Sequence, residues 1–273
     1  MVDPYRIDGP ATISFSGGRT SAYMLHEILQ AYAGTLPSNI HVVFANTGKE
    51  REETLRFVHD CATHWNVRVR WVEWRNTPQA YEEVGYNSAS RNGEPFARLI
   101  AKKKATPNWQ MRFCTYYLKV ETMTRFLRSL GFTSGTYQEV IGLRYDEGHR
   151  IFKMLERNEK YGRKCIAPLA KAKIIKRDIN EFWRAQPFDL DLVDGEGNCD
   201  LCFLKGRSLR KVLIRRRPYS AQWWIEQERA VNGWFDSRNS YADLLDELKR
   251  EPDMFEPMPD EEYDVECGLL CQP

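Results

Sequence analysis

An α/β fold, a parallel sheet with helices on both faces followed by a helical carboxyl-terminal region, is predicted by three features of this sequence. Short β-rich runs alternate with amphipathic helical windows over the first half. The first strand-to-helix transition passes through a double glycine. Beyond Pro168 the strands give way to helical windows carrying Trp183, Trp223, Trp224 and Trp234. The 273 residues, 42% hydrophobic and 29% charged, suffice for a large core and exclude a disordered or collagen-like chain.

In chain order, residues 11–15 (Ala-Thr-Ile-Ser-Phe) read as a strand, and Ala22, Leu25, Leu29 and Tyr32 recur at helical spacing after it. Residues 41–44 form a second strand, followed by a helix whose apolar face is Leu55, Val58, Ala62 and Trp65. Residues 67–72 and 137–142 supply a third and a fourth. Single helices between strands imply parallel pairing, with ligands at the carboxyl ends of the strands. Between Arg75 and Arg112 the periodicity fades, which predicts a long polar loop with a short helix around residues 96–103. The expected division is an α/β nucleotide-binding domain over residues 1–186, including a loop over 75–116. A helical region over 187–273 follows, with a Cys-x-x-Cys pair and an acidic tail.

Forty Lys and Arg against 38 Asp and Glu leave a net charge of +2, which argues against indiscriminate polyanion binding over the whole surface. No run approaches the roughly 20 apolar residues that cross a bilayer. The start Met1-Val2-Asp3-Pro4 lacks the order of a signal peptide, so a cytoplasmic protein without a membrane partner is expected. In that compartment seven cysteines read as metal ligands or reactive thiols rather than disulfides.

Ser14-Phe15-Ser16-Gly17-Gly18-Arg19-Thr20-Ser21 lies where the first strand meets the first helix. Glycines let backbone approach an anion, the helix amino terminus offers free N–H groups and a positive dipole end, and hydroxyls and Arg19 stand nearby. These are the parts of a phosphate cradle, although an ordinary capped turn uses the same residue types.

Residues 16–21 resemble the PP-loop, S-G-G-x-D-S, of the adenine-nucleotide alpha-hydrolase superfamily. Further segments resemble the phosphoadenosine phosphosulfate (PAPS) reductase family within it: Asn46-Thr47-Gly48 with Glu53-Thr54, Cys114 with Lys119, Gly142 to Arg150, and Glu266-Cys267-Gly268-Leu269. Thr20 and Asn46 stand where the family carries aspartates, and Cys114 stands alone where cluster-bearing reductases carry a Cys-Cys pair. The resemblance implies an adenylyl nucleotide, PAPS, adenylyl sulfate or ATP with magnesium, held by Ser14, residues 16–21, Asn46, Thr47, Gly48, Gly142 and Arg144. It also implies a thiol or thioredoxin-like electron donor. Arg144 and Arg150, after the fourth strand, are expected to grip phosphate or sulfate oxygens.

Cys199-Asp200-Leu201-Cys202 has the spacing shared by zinc knuckles and iron–sulfur sites. One such pair is half a site. The resemblance supplies Cys114 as a third ligand around a 4Fe-4S cluster, zinc being the other occupant. The fourth ligand is open among Cys271, Cys267 and Cys165, or absent so that one iron stays free for sulfur. Cys267 is equally a nucleophile on a tail. Cys61 and Cys165 read as core residues.

Arg207, Arg210, Lys211, Arg215, Arg216 and Arg217 follow the pair, with Trp223 and Trp224 close behind, a pattern suited to nucleic acid or to a solvated helix face. The leading expectation is a PAPS-reductase-like enzyme that reduces or transfers sulfur. The alternatives are an ATP pyrophosphatase that adenylates DNA or tRNA for sulfur insertion, and a non-catalytic nucleotide-binding module with structural zinc. The sequence leaves the oligomeric state open.

Overall fold

A computed structural model describes residues 3–193, 196–197 and 199–250. In order they form β1 (Ala11–Ser14), α1 (Arg19–Ala31), β2 (Ile40–Asn46), α2 (Glu52–His64), β3 (Val69–Trp74), β4 (Tyr81–Val84) and α3 (Glu94–Lys103). Next, α4 (Phe113–Thr115) runs through a π-helical turn (Tyr116–Glu121) into α5 (Thr122–Ser129). After these come β5 (Gln138–Val140), α6 (Gly148–Tyr161), β6 (Cys165–Ile166), α7 (Pro168–Lys171) and α8 (Lys176–Arg184). Three helices end the described chain: α9 (Arg207–Arg216), α10 (Ser220–Val231) and α11 (Tyr241–Arg250).

The sheet runs β4-β3-β2-β1-β5-β6. All pairs are parallel except β3 with β4. β1 is central, with Ile13 opposite Val42 on one side and Val140 on the other. Both of its faces are covered, which is why Ala11, Thr12 and Ile13 are all buried and the strand reads as a continuous run. The chain builds outward from β1 to β3 and then returns to place β5 on the other side of β1, so β1 and β5 flank the switch point at which such sheets open a crevice.

Alternation along β2 sends Val42 and Phe44 to one core with the apolar faces of α1 and α2, and Val43 and Ala45 to the opposite core with Met123 and Phe126 of α5. A third core gathers Trp74, α3, Leu118 and the carboxyl-terminal helices around Trp224, Phe235 and Tyr241. Leu190 and Leu192, by contrast, join the first core.

The expected loop over 75–116 contains β4 and α3. The strand is invisible to apolar periodicity because its exposed edge is held by charge: Arg70 Nε lies 2.7 Å from Glu83 Oε1, and Arg75 Nε 2.6 Å from Glu82 Oε2. The helix sits where the sequence placed one, begun by Pro95 in its first turn and closed by Lys102 and Lys103 in its last. Among the described residues, no helix is long and apolar enough to cross a membrane.

Candidate nucleotide and cysteine site

The turn after β1 is held by its own hydroxyls. Ser21 Oγ donates to the Gly18 carbonyl at 3.0 Å, accepts from Ser16 N at 3.2 Å and lies 2.9 Å from Ser16 Oγ. Gly17 has φ +78°, and a Cβ there would fall 2.7 Å from Thr54 Cγ2 and 3.0 Å from Val58 Cγ2, so the turn requires glycine for both conformation and space. Gly18 is the N-cap of α1, and no side chain caps that terminus. Its first N–H groups therefore face the crevice with the positive end of a 13-residue helix dipole. Trp183 buttresses the turn from outside, its Nε1 donating to the Arg19 carbonyl at 3.0 Å. Arg19 forks onto both carboxylate oxygens of Asp189 at 2.7 Å each, which ties the segment after α8 to the turn.

The end of β5 comes against this turn. A Cβ on Gly142 would sit 3.3 Å from Ser21 Cα. Arg144, 6% exposed, donates from Nη1 to Thr20 Oγ1 at 3.4 Å and from Nε to Asp146 Oδ1 at 2.9 Å. Glu147 links the two arginines, accepting from the Arg144 backbone N–H at 2.8 Å and from Arg150 Nη1. Arg144 thus reaches the turn directly, and Arg150 one carboxylate behind it.

At the end of β2, Asn46 is fully buried. It donates to Glu73 Oε1 at 2.6 Å and the Ser90 carbonyl at 2.9 Å, and accepts from Gly48 N at 3.0 Å. Its side chain fixes the bend. Thr47 donates from both N and Oγ1 to Glu50 Oε2 at 2.8 Å, and its Oγ1 lies 3.4 Å from Cys199 Sγ.

That contact joins the bend after β2 to the cysteines. Glu50 and Cys199 form an isolated β-bridge, Asp200 N donates to the Lys49 carbonyl at 2.8 Å, and Lys49 Nζ pairs with Asp200 Oδ2 at 3.0 Å. Trp224 Nε1 donates to the other oxygen of Asp200 at 2.9 Å. Lys205, 1% exposed, donates to the carbonyls of Glu196 and Asp200, and burial draws its ammonium down to about 8. Burial, with the Glu50 carboxylate alongside, pushes the Cys199 thiol well up. Cys114, Cys199 and Cys202 line one cavity of about 20 Å³ with Thr47, Lys119 and Trp224. The donor chemistry, three thiols in an apolar and sequestered setting, fits a soft metal or iron–sulfur cluster. Among the described residues, however, no three His, Cys, Asp or Glu side chains are arranged to hold a metal ion.

Cys267 and Cys271 lie outside the described residues, as does the acidic tail. Cys61 and Cys165 are core residues, 0% and 4% exposed, with thiols raised by burial, Cys165 to about 12. Much of the basic run after Cys202 is paired with carboxylates, although Arg207 and Arg216 remain exposed. Arg210 is buried against Asp236 at 2.6 Å, Lys211 and Arg207 meet Glu247, and Arg217 meets Glu53. Trp224 is fully buried, and the half-buried Trp223 packs over Gly93 with the Lys49 ammonium 4.8 Å from its ring centroid. Sequence reasoning missed Lys49, Glu50, Arg51, Asp200 and Lys205. The signal for the first three was five consecutive charged residues, Lys49 to Glu53, at what otherwise reads as a helix start, and Asp200 stands inside the Cys-x-x-Cys pair.

The chain is 32% identical over 201 residues to the uncharacterised nin region protein ORF290 of Escherichia phage lambda, covering 71% of this chain and 65% of that protein. It is 24% identical over 175 residues to an uncharacterised protein of Methanocaldococcus jannaschii, covering 64% and 28%. It therefore spans less than two thirds of either relative. Among solved structures, phosphoadenylyl-sulfate (PAPS) reductase from Candida auris in its phosphate complex matches with TM-score 0.42 and 16% identity, over 66% of this chain and 75% of that one. The U34-tRNA thiolase NcsA from Methanococcus maripaludis, with its 4Fe-4S cluster, matches with TM-score 0.40 and 13% identity, over 85% and 74%. The model of the phosphoadenosine phosphosulfate reductase domain matches residues 10–171, more than half of the chain. The double-glycine turn, the bend after β2 and Arg144 all fall inside that match, and the chain belongs to the phosphoadenosine phosphosulfate reductase domain family of PP-loop proteins.

Proposed function

We propose that this protein binds an adenylyl nucleotide in the crevice between β1 and β5 and uses its cysteines to reduce or transfer sulfur. The supporting observation is a set of buried polar atoms without hydrogen-bond partners among the described residues: Ser14 Oγ at the end of β1, Thr54 Oγ1 beside Gly17, and Nε and Nη2 of Arg51 at the N-cap of α2. Buried donors and acceptors are normally satisfied, so a cluster of orphans beside an uncapped helix terminus suits an oxyanion ligand. In this reading the N–H groups of residues 17–20 and the Arg144 guanidinium hold the phosphate or sulfonate oxygens. Gly17 and Gly142 keep the backbone close.

With a phosphosulfate, the Cys267 thiolate would form a bond to the sulfonate sulfur as the sulfur–oxygen bond to the nucleotide phosphate breaks. Two equivalents of external thiol would then release sulfite and restore the cysteine. Cys114, Cys199 and Cys202 would hold an iron–sulfur cluster, with Cys271 a candidate fourth ligand. When bound, such a cluster supplies a site for electrons or sulfur beside the nucleotide.

Three measurements test this. Anaerobic purification with absorption spectra and metal analysis separates a cluster from zinc; a colourless, zinc-loaded protein removes the cluster. Sulfite release from PAPS with a thiol donor is the expected activity. Pyrophosphate release from ATP, without sulfite from PAPS, would instead identify an ATP-using enzyme. If neither nucleotide binds, or if Gly17→Ala and Arg144→Ala bind them as the unaltered chain does, the crevice assignment is wrong.

A further inference from the structure

Two tryptophans that belong to none of the cores stand in the open. Trp109, in the loop after α3, is 47% exposed, and Trp234, in the loop between α10 and α11, is 56% exposed. The loops abut, since a Cβ on Gly233 would lie 3.1 Å from Thr106 Oγ1, and both indoles line one groove of about 790 Å³. Arg207 and Arg238 stand on its wall with the amides of Asn108, Gln110 and Asn239. Gln110 also lines a second cavity, of about 580 Å³, which continues past Met111, Arg112 and Tyr116 to Lys103. Lys102 and Lys104, both exposed, flank that end. Among the described residues the single carboxylate lining either cavity is Asp236, which is 2% exposed and held by Arg210 and Arg238, and Glu247 pairs with Arg207 on the groove wall.

We infer that this groove binds single-stranded nucleic acid, bases stacking on Trp109 and Trp234 while Arg207, Arg238, Arg112 and Lys103 follow the phosphates. Every base has a π face and every linkage a negative charge, so exposed aromatic platforms interleaved with cations match such a strand without regard to sequence. Duplex DNA keeps its bases stacked on one another and offers the indoles nothing to stack on. An acidic peptide would satisfy the cations, but its carboxylates offer the two indoles nothing to stack on.

The groove lies close to the cysteine cavity. Phe113 and Tyr116 line its second cavity, whereas Cys114 and Thr115 of the same helical turn line the cysteine cavity. A strand in the groove therefore passes within about one helix diameter, roughly 10 Å, of the cysteines. A bound strand would lie beside the site proposed above, and its binding stands independently of that reading.

The test is fluorescence anisotropy with labelled 12-mers of dT and of U, and with a duplex of the same length, titrated with the full chain at several salt concentrations. Both single strands are expected to bind better than the duplex and to quench tryptophan emission, and the U and dT arms distinguish RNA from DNA. Trp109→Ala and Trp234→Ala should each weaken binding about tenfold, and Arg238→Gln should reduce the salt slope by about one. Circular dichroism and thermal melts verify that these surface variants fold. No single-strand binding at low salt, equal or better duplex binding, or retention of affinity by both tryptophan variants overturns the inference. ATP and PAPS binding, measured on the same variants, should be unchanged. Loss of nucleotide binding by the unaltered chain would sink the proposed function and leave the groove standing.

Discussion

The two ends of the site are built by opposite means. The double-glycine turn uses consecutive residues, a helix terminus and two hydroxyls, and its few outside contacts, from Arg144, Trp183 and Asp189, only brace it. The cysteine end has no local scaffold. Cys199 and Cys202 are positioned because Asp200 between them is caught by Lys49 from the β2 bend and by Trp224 from α10, and because Lys205 caps the loop carbonyls from beneath. Tyr241 of α11 adds a bond to the Leu201 carbonyl. A turn made from contiguous residues can form wherever its strand and helix form. A loop held by buried charges exists only when the whole tertiary structure does, which is why damage should act differently at the two ends.

The sharpest break is expected from Asp200→Ala. It strands the Lys49 ammonium, 8% exposed, and the Trp224 indole N–H in the interior. Removing one partner of a buried pair costs about 3–5 kcal/mol. The urea midpoint should fall accordingly, and Cys199 and Cys202 should become reactive to thiol reagents in the native chain. Unchanged stability would mean that the cysteine loop does not depend on this pair. Gly17→Ala comes next, at about 2–4 kcal/mol from positive φ and the clash with Thr54 and Val58. It should abolish nucleotide binding while the cysteines keep their protection.

Arg144→Ala is expected to separate binding from folding. Loss of a charge-assisted contact to an oxyanion, worth about 1.5–3 kcal/mol, should cut nucleotide affinity by roughly 10- to 150-fold. The melting temperature should move little, because Glu147 keeps Arg150. Isothermal titration with ATP and PAPS, paired with a thermal melt, reads both effects.

The smallest effect concerns Glu228 of α10, whose carboxylate accepts from Phe235 N at 3.2 Å and Tyr241 N at 3.0 Å. Burial pushes it up to about 7. Between its ordinary range and that value the folded chain holds a proton that the unfolded chain has released, so stability falls as pH rises through this window and levels off above it. Glu228→Gln, which mimics the protonated form, should flatten the melting temperature against pH between 5 and 7.5. A slope equal to that of the unaltered chain would assign the pH dependence elsewhere.

This contrast also explains what could be read in advance. β1, the double-glycine turn and α1 were legible because their signals are local: a short apolar run, residues tolerant of unusual backbone, and helical periodicity. The edge strand β4 was not, because Tyr-Glu-Glu-Val pairs through charge rather than apolar alternation. The arginine-rich segment read as a basic surface because one-dimensional charge does not reveal that Arg210 turns inward to Asp236, 26 residues away. Trp223 and Trp224 drew attention as a pair, yet the tryptophans left exposed are Trp109 and Trp234, in loops more than 120 residues apart that meet only in the fold.

By itself, the sequence determined the sheet-and-helix alternation and the double-glycine turn, since hydrophobic period, glycine and helix-terminal chemistry act over neighbouring residues. The tertiary structure alone decided which cysteines share a cavity, which charges are paired and which indoles face solvent. These depend on contacts between distant segments, and on a burial that makes each unpaired polar group costly enough to select one arrangement.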